Sequence, residues 1–183
     1  MSVWRAPFEA ALRLFAVISE AMRAEGEPRP ILVGGAAVEY WSGSMVATGD
    51  FDLCSPAQPE LEAVLRRYGF VRPSGAGVAT RGWVHPDLAL GFEVVGRTPL
   101  DGLAAPDHIV LVEDLVPGAA FAIIGVEDLI ADRVGQFASG TAPDRIEQAR
   151  LLYRLHPGLD RAYLDRRIGE ESAGEYGIDA LEG

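Results

Sequence analysis

The segment Ile31–Leu53, ILVGGAAVEYWSGSMVATGDFDL, constrains the chain more than any other stretch. Ile31-Leu32-Val33 is a short apolar run of the kind that makes a buried strand. Gly34-Gly35 follows at once, and Ala36 to about Trp41 reads as a helix opening directly behind the glycines. At such an opening the first backbone N–H groups lack intrahelical partners, and the missing Cβ atoms let an anion come close. A second short strand, Phe51-Asp52-Leu53-Cys54, is closed by Ser55-Pro56. Alternation turns Phe51 and Leu53 into the core and sets Asp50 and Asp52 together on the opposite face. Two neighbouring carboxylates repel unless a cation or a shared proton relieves them. Hard oxygen ligands of this kind suit Mg2+, or Mn2+, held together with substrate phosphates. A strand–helix–strand unit brings the glycines and the carboxylates to one end of a sheet. Taken singly, the glycines fit tight packing and the acids fit a solvated strand edge; their spacing favours a site.

The rest of the chain supplies a body for this unit. Pro7 to about Glu25 puts Leu12, Phe15, Ala16, Ile18 and Met22 on one helical face. Gln58 to Tyr68 does the same with Leu61, Val64, Leu65 and Tyr68, and Gly69 stops it. From Phe70 to Ile124 the pattern predicts short strands at Gly82–His85, Leu88–Val95, His108–Val112 and Ala120–Ile124. Turns are expected at Pro73-Ser74-Gly75, His85-Pro86-Asp87 and Val116-Pro117-Gly118. Helical spacing returns over Glu127–Phe137, Pro143–His156 and Asp160–Ile168, and the acidic tail has room for one short helix. The order predicts an α/β or α+β class, a mixed sheet with helices packed on it and a helical C-terminal segment. Residues 1–125 would form the α/β core and 126–183 the helical part of one compact unit.

Composition excludes several functions. Twenty-seven acids against 16 bases, all of them arginine, give a net charge of −11. Schiff-base or P-loop chemistry would need a lysine, and broad nucleic-acid binding is disfavoured by long-range repulsion of phosphates. With 49% apolar and 23% charged residues the chain is no disordered polymer. No apolar run approaches the roughly 18 residues of a membrane span. The N-terminal stretch carries acids and lacks an A-x-A site, so no signal peptide is expected. The lone Cys54 cannot form an internal disulfide. The expected location is the cytoplasm.

Gly34 and Gly35, then one helix length later Thr48, Asp50 and Asp52 as Thr-x-Asp-x-Asp, resemble the nucleotidyltransferase superfamily, whose fold is that of DNA polymerase beta and kanamycin nucleotidyltransferase. The downstream stretches WVHPDLALGFEVVG, IIGVEDLIADRV and DRIEQARLLYRLH are similar to a bacterial group of small nucleotidyltransferase-like proteins. The likeness runs from about Ile31 to Tyr163. It implies a nucleotidyltransferase fold, Mg2+ or Mn2+ on Asp50 and Asp52, and a nucleoside triphosphate held at Gly34, Gly35 and Thr48. It also implies a third carboxylate that converges with the pair. Glu93 is the best candidate, since alternation sets Leu90, Phe92 and Val94 on one strand face and Gly91, Glu93 and Val95 on the other. The implied activity is metal-dependent transfer of a nucleoside monophosphate from a triphosphate to a hydroxyl acceptor. The alternative is an inactive protein of the same fold that acts as a protein-binding partner, as in a toxin–antitoxin-like pair. Ala36 stands where many relatives have serine, and Ala47 where they often have a basic residue; both remove phosphate contacts. His85, Arg133, Arg145 and Arg150 are weaker candidates, the helix pairs around Asp128, Asp132 and Arg133 being expected on the surface. Tyr40, Trp41, Cys54 and Trp83 are expected in the core.

Overall fold

In the computed structural model, which describes residues 3–73 and 82–183, helix α1 (Ala6–Ala24) leads into strand β1 (Ile31–Val33) and helix α2 (Gly34–Ser42). Strand β2 (Asp50–Cys54) and helix α3 (Gln58–Arg67) follow, then strands β3 (Gly91–Gly96), β4 (Ile109–Val116) and β5 (Ala119–Ile124). Helices α4 (Val126–Ala138), α5 (Arg145–Leu155) and α6 (Arg161–Glu171) complete the chain, with a last 3-10 turn at Ile178–Leu181. The strands form one mixed sheet in the order β3-β2-β1-β5-β4. β1 runs antiparallel to β2 and parallel to β5; β2 runs parallel to β3; β4 and β5 form an antiparallel hairpin.

One face of the sheet is aromatic. Phe51, Phe92 and Phe121 are fully buried there, and Phe15 of α1 meets all three at ring-centroid distances of 6.2, 6.2 and 5.5 Å. Phe8 adds a contact to Phe51 at 5.2 Å. The expected apolar stripe of α1 is buried in full, and the helix stops before Gly26, whose φ of +84° a side chain would resist. The opposite face takes the odd partners of that alternation: Val33, Asp52 and Glu93 lie side by side in register across β1, β2 and β3.

The C-terminal helices are continuous with this body. α4 packs on α5 and α6, and α2 contacts both α4 and α5. Leu129, Leu152 and Leu164 belong to the same buried cluster as Phe8 and Phe51. Asp128, expected on the surface, is fully buried. It accepts from Arg167 Nε at 2.7 Å and from the Tyr163 hydroxyl at 2.8 Å. Tyr163 stacks in turn on His108 at 3.6 Å. Helix spacing alone cannot reveal such a network, because its partner sits on another helix.

The stretch before β4 departs from the sequence expectation. β3 begins at Gly91 rather than Leu88, because Leu88 N–H closes a turn onto His85. Gly82–His85 contributes two isolated bridges, Val71 to Val84 and Trp83 to Phe92, in place of a strand. Two 3-10 turns, Pro99–Gly102 and Pro106–His108, were not expected. Ser74 and Gly75 of one expected turn lie outside the described residues. Among the described residues no helix is long and apolar enough to cross a membrane.

Candidate functional site

The end of β1 and the start of α2 are built around Asp52. Gly34 leaves the strand with φ +63°, and a Cβ on it would stand 2.9 Å from Asp52 Cγ. A Cβ on Gly35 would stand 2.6 Å from Thr48 Oγ1. The space opened by both glycines is thus taken by the protein's own carboxylate and hydroxyl. Asp52 accepts a hydrogen bond from the Gly35 N–H, so an unpaired donor of the helix start holds the carboxylate in place.

Gly34→Ala is therefore expected to cost stability even without ligand. The left-handed conformation alone costs a side-chain-bearing residue about 1–2 kcal/mol. The crowding against Asp52 adds to this. A fall in Tm of roughly 3–10 °C follows for a chain of this size. Thermal unfolding of the metal-free protein measures it, and an unchanged midpoint would mean that the carboxylate is not seated against the glycine.

Asp50 and Asp52 face a cleft of about 750 Å³. Gly34, Gly35, Thr48, Asp50 and Asp52 form one wall; Arg133, Gln136 and Arg145 of the α4–α5 region form the other. Burial pushes the Asp52 carboxyl above the usual carboxylate range. Its hydrogen bond from Gly35 and the charge of Arg133 oppose that shift, and the charges of Asp50 and Glu93 reinforce it. Burial, helped by Asp52 and Asp101, drives the Cys54 thiol up to about 11, as suits an unreactive core residue.

Glu93 sits directly beside Asp52 in the parallel β2–β3 register, on the same sheet face, but it is not part of the cleft lining. Among the described residues, no three His, Cys, Asp or Glu side chains gather closely enough to hold a metal ion by themselves. Asp50, Asp52 and Glu93 share one sheet face, and the charges of the other two acids both act on Asp52. The donor chemistry still fits Mg2+ or Mn2+, because such ions are commonly held by one or two carboxylates with waters and phosphates completing the shell.

Thr48 is placed by residues that sequence reasoning missed. Glu39 of α2 is fully buried and accepts from Thr48 N–H at 2.6 Å and from the Ser44 hydroxyl at 2.8 Å. Arg5 grips the same carboxylate through Nε at 2.6 Å and Nη2 at 3.0 Å, and reaches the Thr48 carbonyl at 2.6 Å. The Thr48 hydroxyl then bonds the Asp50 carbonyl at 3.1 Å. The carboxylate wall is in this way tied to the N-terminus of α1. The one available signal was an acid on an otherwise apolar short helix, too common a feature to stand out.

The remaining candidates separate cleanly. Arg133, expected in a surface pair, is only 4% exposed and lines the cleft, as does Arg145. Arg150 lies away from it, bonded to the Ala180 carbonyl and Glu147. His85 packs on Phe70 and accepts from Asp87 N–H through Nδ1. Tyr40 stacks on Trp4, and Trp41 donates to the Ile124 carbonyl, so both serve packing. Ala36 is fully buried, whereas Ala47 lies on the cleft wall without a polar group to offer. No protein-family model and no curated protein sequence matches the chain.

Proposed function

We propose that the chain is a metal-dependent nucleotidyltransferase, related to the polymerase-beta-like superfamily, that moves a nucleoside monophosphate from a nucleoside triphosphate to a hydroxyl acceptor. The observation that carries this reading is the meeting, in one cleft, of the glycine-led start of α2 with Asp50 and Asp52 on the strand facing it. Asp50 and Asp52 would hold Mg2+ or Mn2+, and the bound ion would neutralise charge building up on the phosphates. The backbone at Gly34 and Gly35 would meet the phosphates, with the Gly35 N–H shared between Asp52 and the incoming anion. Since Ala36 and Ala47 offer no polar side chain, the phosphate contacts on this wall come from the backbone and Thr48. In the transfer itself the acceptor oxygen bonds to the α-phosphorus, the bond to the bridging oxygen breaks and pyrophosphate leaves. The hydroxyl proton passes to a carboxylate. Glu93, next to Asp52 in the β2–β3 register, would help to accept it.

The test is thermal unfolding with Mg2+ or Mn2+ and each ribonucleoside triphosphate, followed by transfer of labelled nucleotide to acceptors in cell extract. Ligand at a hundredfold its Kd stabilises by about 2.7 kcal/mol. That corresponds to a rise of roughly 5–10 °C, expected only when metal and nucleotide are both present. No rise with any triphosphate would overturn the reading. Metal-dependent binding without transfer would instead identify the chain as an inactive binding partner, the reading that Ala36 and Ala47 favour.

A further inference from the structure

We infer that the α4–α5 wall of the cleft is a binding site for a phosphate group, received by Arg133 and Arg145 across from the carboxylates. The two guanidinium groups converge on one neutral atom: Gln136 Oε1 accepts from Arg133 Nη1 at 3.3 Å and from Arg145 Nε at 3.3 Å. Gln136 is itself fixed, because its amide donates to both oxygens of Asp132 at 3.0 Å. Gathering two cations on an amide oxygen leaves their mutual repulsion in place, the mirror image of the Asp50–Asp52 arrangement.

Each cation also has an acid beside it, and the charge of Asp52 acts on Arg133 as well. Asp132 lies 3.1 Å from Arg133 Nη2 and Asp144 lies 2.7 Å from Arg145 Nη1. Glu171 also lines the cleft, but its carboxylate is already taken by Arg167 at 2.6 Å. Among the described residues Arg133 Nε has no hydrogen-bond partner, although the side chain is 95% buried. A buried donor left unsatisfied is costly. Burial holds the proton affinity of Arg133 below its ordinary value; Arg145 adds to the effect, and the charges of Asp132, Asp52 and Asp144 oppose it. An anion with several oxygens would satisfy both guanidinium forks at once, which makes a phosphate group the fitting class of ligand.

This inference deepens the proposed transferase, on which its place in a reaction rests, while standing on different residues. The phosphate would come either from the far end of the donor's triphosphate or from a phosphate carried by the acceptor. The probes are inorganic phosphate and pyrophosphate, titrated calorimetrically into the metal-free protein, where the carboxylate wall contributes only repulsion. Saturable binding is expected, weakened about tenfold or more by Arg145→Gln, which removes a partly exposed cation with little risk to the fold. Arg133→Lys, keeping the charge and losing the fork, should weaken pyrophosphate similarly. Absence of saturable binding, or equal affinity in wild type and Arg145→Gln, overturns the site. Repeating the titration with Mg2+ and ATP separates the sources. Displacement by ATP together with weaker ATP binding in Arg145→Gln assigns the site to the donor; phosphate binding beside ATP assigns it to the acceptor. Phosphate binding that survives when no triphosphate binds with metal would uphold the site and defeat the transferase reading.

Discussion

Asp52→Asn is expected to abolish nucleotide transfer and leave the fold intact. Asn keeps the shape of the side chain, and its amide oxygen can still accept from the Gly35 N–H that holds Asp52. What disappears is the charge that would neutralise the cation. Losing such a group costs about 4 kcal/mol of transition-state stabilisation, roughly a thousandfold in rate. Stability should move the other way. Burial raises the folded-state affinity of Asp52 for its proton, so above the folded pKa the native state carries a carboxylate that the unfolded chain would ionise more easily. The penalty is absent below the ordinary carboxylate range and fully present at neutral pH. Metal-free Asp52→Asn should therefore match or exceed the wild type in Tm at pH 7, with the difference vanishing as the pH falls toward 3.8. Equal label transfer by both proteins would remove Asp52 from the catalytic assignment. A variant less stable than wild type at pH 7 would show that the carboxylate is a structural anchor.

The parts of this molecule that sequence exposes are those whose causes are local. The stripe of Leu12, Phe15, Ala16, Ile18 and Met22 dictates both that α1 forms and which face it buries, because a 3.6-residue period leaves no other solution. The pairing of Asp50 with Asp52 on one face follows from the two-residue period of a strand, and the buried Phe51 and Leu53 between and after them are its counterpart. That Glu93 falls beside Asp52 depended on register between two strands far apart in sequence, and alternation within β3 was enough to find the face. The 3-10 turn at Pro99–Gly102 was not foreseen because Leu100 and Asp101 adopt φ of 50° and 53°, a left-handed turn that neither residue type announces. The Arg133–Gln136–Arg145 group was hidden for a different reason. Its members come from two helices, and beside the acids Asp132 and Asp144 each arginine looks like half of an ordinary surface pair.

Glu39→Ala is expected to be among the most damaging single changes in the chain, and its damage should reach the site. The carboxylate is fully buried and satisfies four donors: Arg5 twice, the Ser44 hydroxyl and the Thr48 N–H. Removing it leaves the Thr48 N–H and the Arg5 guanidinium without their main acceptor. Breaking a buried ion pair in this way costs about 3–5 kcal/mol. Arg5 retains 32% of its side-chain exposure and can turn partly to water, which brings the expected loss to about 2–4 kcal/mol. A fall in Tm of roughly 5–15 °C follows. Because Thr48 in turn bonds the Asp50 carbonyl, the loop freed by the substitution is the one that carries the carboxylate wall. Affinity for metal and nucleotide should fall with stability, and more than in a variant of equal instability elsewhere. Asp128→Asn, which weakens the Arg167 and Tyr163 contacts away from the carboxylate wall, is the matched control. Glu39→Gln keeps an acceptor for the Thr48 N–H and should retain most of the nucleotide affinity. If Glu39→Ala and Asp128→Asn lower that affinity equally at matched stability, then the Arg5–Glu39 pair supports the fold and does not position the site.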